Sequence, residues 1–121
     1  MQYRVMAFET VKAKVDYDEE NDILYIYTGE RAIDSLEIDR FVIDFSPRNK
    51  IVGIEIFDAK KFIKEYLELG DEELVFSEHA SISVIQSKEL LLVKINLMIK
   101  LKGKEIEELL PIAIPKKALF V

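Results

Sequence analysis

The run from Leu90 to Lys102 constrains this chain more than any other stretch. Leu91, Val93, Ile95, Leu97, Ile99 and Leu101 alternate without a break with Leu92, Lys94, Asn96, Met98, Lys100 and Lys102. Successive side chains of a strand point to opposite sides of a sheet, so a period of two over so many residues specifies a long β-strand with one aliphatic face. A helix would scatter the same residues around its circumference. Such a strand needs paired neighbours and a cover for its aliphatic face, which fixes the problem the rest of the chain has to solve.

Flanking segments supply the neighbours. VKAKVDYD alternates, with Val11, Ala13, Val15 and Tyr17 on one side, and DILYIYT follows after a short acidic turn. Pairing Asp18 with Asp22 predicts a three-residue loop with Asn21 left-handed, which sets Tyr17 opposite Ile23, Val15 opposite Tyr25 and Ala13 opposite Tyr27. A second hairpin joins FVIDFS to IVGIEIF, and a two-residue Arg48-Asn49 turn aligns Phe45 with Val52, Ile43 with Ile54 and Phe41 with Ile56. AIDSLEID is a shorter strand before it, with Leu36 and Ile38 inward. HASISVIQ and EIEELLPIAIP flank the long strand, with turns at Ser87 to Glu89 and at Gly103-Lys104. Pro111 and Pro115 lack the N–H a central strand requires, which places the last strand at an edge or on a bulge.

Between the two groups of strands the period changes to about 3.6. Ala59, Phe62, Ile63, Tyr66 and Leu67 form one stripe, predicting an amphipathic helix over 58–69 capped by Asp58 and ended by Gly70 in the left-handed conformation. The expected fold is therefore α+β: mainly antiparallel β-hairpins, about seven strands, with one helix, in a single domain over 1–121. One such helix covers only part of the sheet, so either closure into a barrel or a second copy must cover the rest.

Composition narrows the function classes. The chain has no Cys, which removes disulfides, thiolate nucleophiles and cysteine-ligated metals, and no Trp; with abundant Lys, Glu and Ile this fits a thermophile source. Its one histidine, His79, excludes a multi-histidine metal site within one chain. No run approaches the roughly 18 uncharged apolar residues of a membrane span. The N-terminus alternates instead of showing a basic region and an apolar block, giving a cytoplasmic expectation. Charge is split: residues 1–80 hold 10 Lys/Arg against 19 Asp/Glu, and residues 81–121 hold 7 against 4. The acidic total of −6 argues against general nucleic-acid binding.

Three groups of residues are candidate sites. Asp16, Asp18 and Asp22 in the acidic turn resemble a hard-cation cluster but lack the Gly and distal Glu of a calcium loop, so a solvated turn is the expected reading. Asp44, Gly53 and Glu55 share one face of the second hairpin, where two carboxylates could work as acid and base; no nucleophile accompanies them. Leu90, Leu92, Lys94, Asn96, Met98 and Lys100 form the second face of the long strand and a candidate interface. The lysines there, with Lys102 and Lys104, also guard exposed sheet against self-pairing. No catalytic residues, metal ligands or cofactor are expected.

VDYDEENDILYIYTGE and IDFSPRNKIVGIEIFDAKKFI together resemble the small prokaryotic family called domain of unknown function twenty-two eighty-three. Tyr17, Asp18, Asp22, Leu24, Tyr25, Ile26, Asp44, Gly53, Ile54, Glu55 and Ile56 carry the resemblance, over about Val15 to Ile63. Residues 70–121 form a β-rich C-terminal extension that departs from it. The resemblance implies a compact β-rich unit with one helix and gene neighbours coding for small toxin-like proteins; it implies no activity. Three functions follow in order: a non-enzymatic binding or assembly module acting as a homodimer or on a protein partner, an antitoxin-like regulatory partner, and a carboxylate-dependent hydrolase.

Overall fold

In the computed structural model, which describes residues 7–120, eight strands form one antiparallel sheet. They are β1 (Ala7–Asp18), β2 (Ile23–Tyr27), β3 (Asp34–Ile38), β4 (Phe41–Phe45), β5 (Ile51–Phe57), β6 (Leu74–Gln86), β7 (Leu90–Leu101) and β8 (Lys104–Pro115), in the spatial order β3-β4-β5-β2-β1-β6-β7-β8. The helix α1 (Ala59–Tyr66) follows β5, and a 3-10 turn (Lys116–Phe120) follows β8. The count is one strand above the sequence expectation. The alternation at Met1 to Met6 lies outside the described residues.

One face of the sheet is apolar from end to end. Ile43 pairs with Ile54, Ile54 with Ile26, Ile82 with Ile95 and Ile95 with Leu110, and all of these are buried. The long strand behaves as its period demands: Leu91, Val93, Ile95, Leu97 and Ile99 are buried, with Leu101 partly so. Its partner β8 is an edge strand without a bulge. Pairing across a two-residue turn directs the N–H groups of the even-numbered residues toward β7, so Pro111 and Pro115 face the open edge where no donor is required.

A flat sheet would place β4 and β8, six inter-strand steps apart, at a separation of about 29 Å. Yet the same turn of α1 touches both. The Phe62 ring meets Phe41 of β4 edge-on at 5.8 Å and lies 6.1 Å from the Tyr66 ring, whose hydroxyl donates to the Leu109 carbonyl of β8 at 3.3 Å. The sheet is therefore rolled around its apolar face, with α1 bridging from β4 to the opposite edge strand β8. Rolling explains how Val93, Ile95 and Ile99 reach complete burial although one short helix could not cover them. It is the incomplete form of the barrel the sequence left open.

Several local expectations are corrected. Tyr17 pairs with Leu24 and Val15 with Ile26, so the first hairpin is one residue out of the expected register. Leu24 and Ile26 are in the core and Tyr25 and Tyr27 on the outer face. The physical reason is the turn: Asp22, not Asn21, takes the left-handed conformation (φ 53°), adding one residue to the loop. In the second hairpin Phe45 pairs with Ile51 rather than Val52; beyond that pair the Ser46 N–H donates to the Lys50 carbonyl across a three-residue turn with Asn49 left-handed (φ 60°). A bulge between Asp44 and Phe45 restores the expected pairs from Asp44 inward. The β7–β8 turn is Lys102-Gly103, both at positive φ, one residue earlier than expected.

Both ends of α1 differ from expectation too. Asp58 is left-handed and makes no side-chain cap. At the other end Glu68 (φ 55°), not Gly70, takes the left-handed position, and its N–H and that of Leu69 donate to the carbonyls of Glu65 and Lys64. Ala59 and Ile63 are the buried residues, Phe62 and Leu67 are partly buried, and Tyr66 is 48% exposed, its ring beside Phe62 and its hydroxyl on the Leu109 carbonyl.

Candidate functional site

The acidic turn is a structural joint. Asp22 Oδ1 accepts from the Tyr17 hydroxyl at 2.7 Å and from the Lys60 N–H at 2.8 Å, and the Asp22 carbonyl accepts from the Ala59 N–H. A carboxylate remote in sequence thus caps α1, taking the role expected of Asp58. Burial first, then the bond to Asp22, pushes the Tyr17 hydroxyl well above its ordinary value. Asp18 accepts from the backbone and side chain of Asn21, which hold its carboxyl below the usual carboxylate value. Asp16 lies elsewhere, opposite Tyr25. The three residues do not converge, and among the described residues no group of three acidic or histidine side chains could hold a metal ion.

The Asp44, Gly53 and Glu55 face is brought together as expected, with partners the sequence did not reveal. Asp44 sits opposite Gly53, Glu55 opposite Val42 and Tyr25, and Tyr27 opposite Gly53. The Ser35 hydroxyl donates to Asp44 Oδ1 at 2.8 Å. A methyl group at Gly53 would lie 2.8 Å from Asp44 Oδ2, 3.1 Å from the Tyr25 hydroxyl and 3.2 Å from Tyr25 Cε1. Gly53 is thus the floor over which the Tyr25 ring and the Asp44 carboxylate meet, the sheet equivalent of an aromatic filling a glycine gap.

Tyr25 and Tyr27 stack at 4.9 Å with 15° between their planes. Burial, followed by the Asp44 and Glu55 carboxylates, pushes the Tyr25 hydroxyl above its ordinary value. The face therefore combines two stacked rings with two carboxylates. Among the described residues the ion pairs lie elsewhere, at Lys50–Glu9 and Lys102–Glu72. The tyrosines were missed because the first hairpin's expected register turned them inward; their signal was the polar handle that aromatic side chains with hydroxyls keep near water.

A model of the family described as a protein of unknown function, DUF2283, matches residues 14–60, which hold this face and the helix-capping joint. An uncharacterized protein of Methanocaldococcus jannaschii is 35% identical over 98 residues, 79% of this chain and 81% of that protein. The chain belongs to the DUF2283 family. A protein of Methanosarcina mazei provisionally named a hypoxanthine phosphoribosyltransferase is 25% identical over 92 residues, 64% of this chain and 75% of its own. No solved structure matches at a significant level.

The candidate interface of β7 occupies the outer face of the other half of the sheet. Leu92, Lys94, Asn96 and Met98 are half-buried there, while Leu90 and Lys100 are exposed. Asn96 donates to the Ser81 hydroxyl at 3.1 Å. No helix among the described residues is long and apolar enough to cross a membrane.

Proposed function

We propose that this DUF2283 protein is a non-enzymatic binding module that holds a cationic side chain of a protein partner against the outer face of β2, β4 and β5. The observation that carries this reading is the Tyr25–Tyr27 stack beside Asp44 and Glu55, two carboxylates engaged by no lysine or arginine among the described residues. A guanidinium can lie on a tyrosine face while donating to a neighbouring carboxylate, and the two attractions add at one place. Lys14, opposite Tyr27 on β1, bounds the site on that side. The excess of carboxylates over residues 1–80 would steer a basic partner toward it. An antitoxin-like role would use the same acidic face.

Catalysis fits this face less well. Asp44 and Glu55 lie on the convex side of a rolled sheet, where solvent is not excluded and little holds a substrate against them. The transferase name of the Methanosarcina relative does not carry over well either. Phosphate-rich substrates are commonly cradled at a helix N-terminus, and here the Asp22 carboxylate already takes the Lys60 N–H of α1.

A short poly-arginine peptide titrated into labelled protein at low salt tests the reading. Amide shifts centred on Tyr25, Tyr27, Asp44 and Glu55 are expected, with affinity falling about tenfold in Glu55→Gln. Glu19→Gln and Glu20→Gln, in the exposed acidic turn, should change little. Equal losses in all three variants would reduce the effect to net charge and overturn the reading.

A second reading, assembly of two copies through β7, is supported by the exposure of Leu90 (38%) at the start of β7 and of Leu109 (43%) midway along β8. Rolling of the sheet covers the inner aliphatic face within one chain and leaves only the outer face of β7 to call for a partner, which ranks this reading second. Sedimentation equilibrium giving only the 14.1 kDa species at micromolar concentration would dismiss it.

A further inference from the structure

The pairing of β6 with β7 is interrupted once. Phe76 faces Ile99 and Ala80 faces Leu97, so Ser77, Glu78 and His79 all stand opposite the single residue Met98. A bulge of this size breaks the ladder and re-aims its side chains. It opens a depression of about 420 Å³ on the outer face, lined by Lys12, His79, Ser81, Asn96, Met98 and Glu107.

The lining has a distinct chemical order. Lys12 comes from β1, and Lys14 pairs directly with His79, so two ammonium groups and the only imidazole of the chain gather at one end. Ser81 and Asn96 hold each other by a hydrogen bond at the centre, and Met98 supplies an apolar, adaptable surface beside them. Glu107, on β8 beside Met98, closes the opposite end with a negative charge. In a chain of net charge −6, Lys12 and Lys14 make the His79 end locally positive.

We propose that the bulge depression binds a small organic monoanion with an apolar body, a carboxylic acid in chemical class. Its carboxylate takes the Lys12 and His79 end and its hydrocarbon rests on Met98. Glu107 disfavours a dianion, which separates this ligand class from a phosphate ester. The site adjoins the Tyr25–Asp44 face across Lys14, which pairs with Tyr27 on one side and His79 on the other, but its contacts through Lys12, Ser81 and Met98 are its own.

Benzoate is the probe, titrated into isotope-labelled full-length protein at millimolar concentration and followed by amide shifts. Saturable shifts confined to the neighbourhood of Lys12, His79, Ser81 and Met98 are expected, with weaker binding by about tenfold in Lys12→Gln. Met98→Ala should weaken benzoate and leave acetate unchanged, a split that loss of charge alone would not produce. Both substituted side chains lie on the outer face, and unchanged melting temperatures would establish that the variants fold. Non-saturating shifts spread over all lysine-bearing surfaces, indifference to Lys12→Gln, or inorganic phosphate binding as tightly as benzoate would each overturn the proposal.

Discussion

Gly53→Ala offers a quantitative test of the outer-face geometry. Gly53 is not at positive φ, so alanine meets no backbone strain there, and in an unobstructed strand the change would stabilise by about 0.5–1 kcal/mol. Here the new methyl would lie 2.8 Å from Asp44 Oδ2 and 3.1–3.2 Å from Tyr25. Asp44 is a short side chain tied at its other oxygen to Ser35, so moving it sacrifices that bond, about 1 kcal/mol, and shifting the Tyr25 ring adds an overpacking term of roughly 1–3 kcal/mol. The clash outweighs the gain. Net destabilisation should be about 1–3.5 kcal/mol, a fall of about 4–14 °C in Tm for a chain of this size. Thermal melts followed by circular dichroism measure it. In an Asp44→Ala background the nearest obstruction is gone, and the same substitution should cost at least about 1 kcal/mol less. A Gly53→Ala protein as stable as the parent, or equal effects in both backgrounds, would refute the reasoning.

Other perturbations have equally defined outcomes. Asp22→Ala removes the cap of α1 and the acceptor of the Tyr17 hydroxyl together, so urea unfolding should show a loss of about 2 kcal/mol, against a much smaller loss for Asp22→Asn, which keeps an oxygen acceptor and tolerates the left-handed backbone. Glu68→Gly should stabilise by about 0.5–1 kcal/mol in the same assay, because glycine occupies the left-handed position without strain. Tyr17 and Tyr25 have hydroxyls raised above the ordinary value of 10.0; the unfolded chain ionises first, so their contribution is complete below about pH 10 and is lost above it. Melting temperatures through that alkaline range should fall less steeply in Tyr17→Phe. Pro111→Ala restores a donor to the open edge of β8; monomer stability should change little while light scattering on heating increases.

Side-chain period was enough to specify the long strand, the helix and one of the two hairpins. The alternation of Leu90 to Lys102 requires a strand with one buried face, and Ala59, Phe62 and Ile63 require a helix whatever surrounds them. The second hairpin was legible through Ile43–Ile54 and Phe41–Ile56, because only one register puts these four large apolar residues on one side, and so was the pairing of Asp44 with Gly53. The first hairpin was not, because Leu24 and Ile26 alternate with Tyr25 and Tyr27 and either set can face a core. The left-handed Asp22 chose between them, and its carboxylate is anchored to Lys60, far along the chain, which no local pattern records. Tertiary structure alone made Gly53 a floor for Tyr25 and Asp44, and opened the β6 bulge opposite Met98. It also decided how the apolar face was covered. A period says that one face must be hidden but not by what, and here the sheet hides it by rolling until Phe41 of β4, one strand in from an edge, and Leu109 of the opposite edge strand meet the same turn of α1.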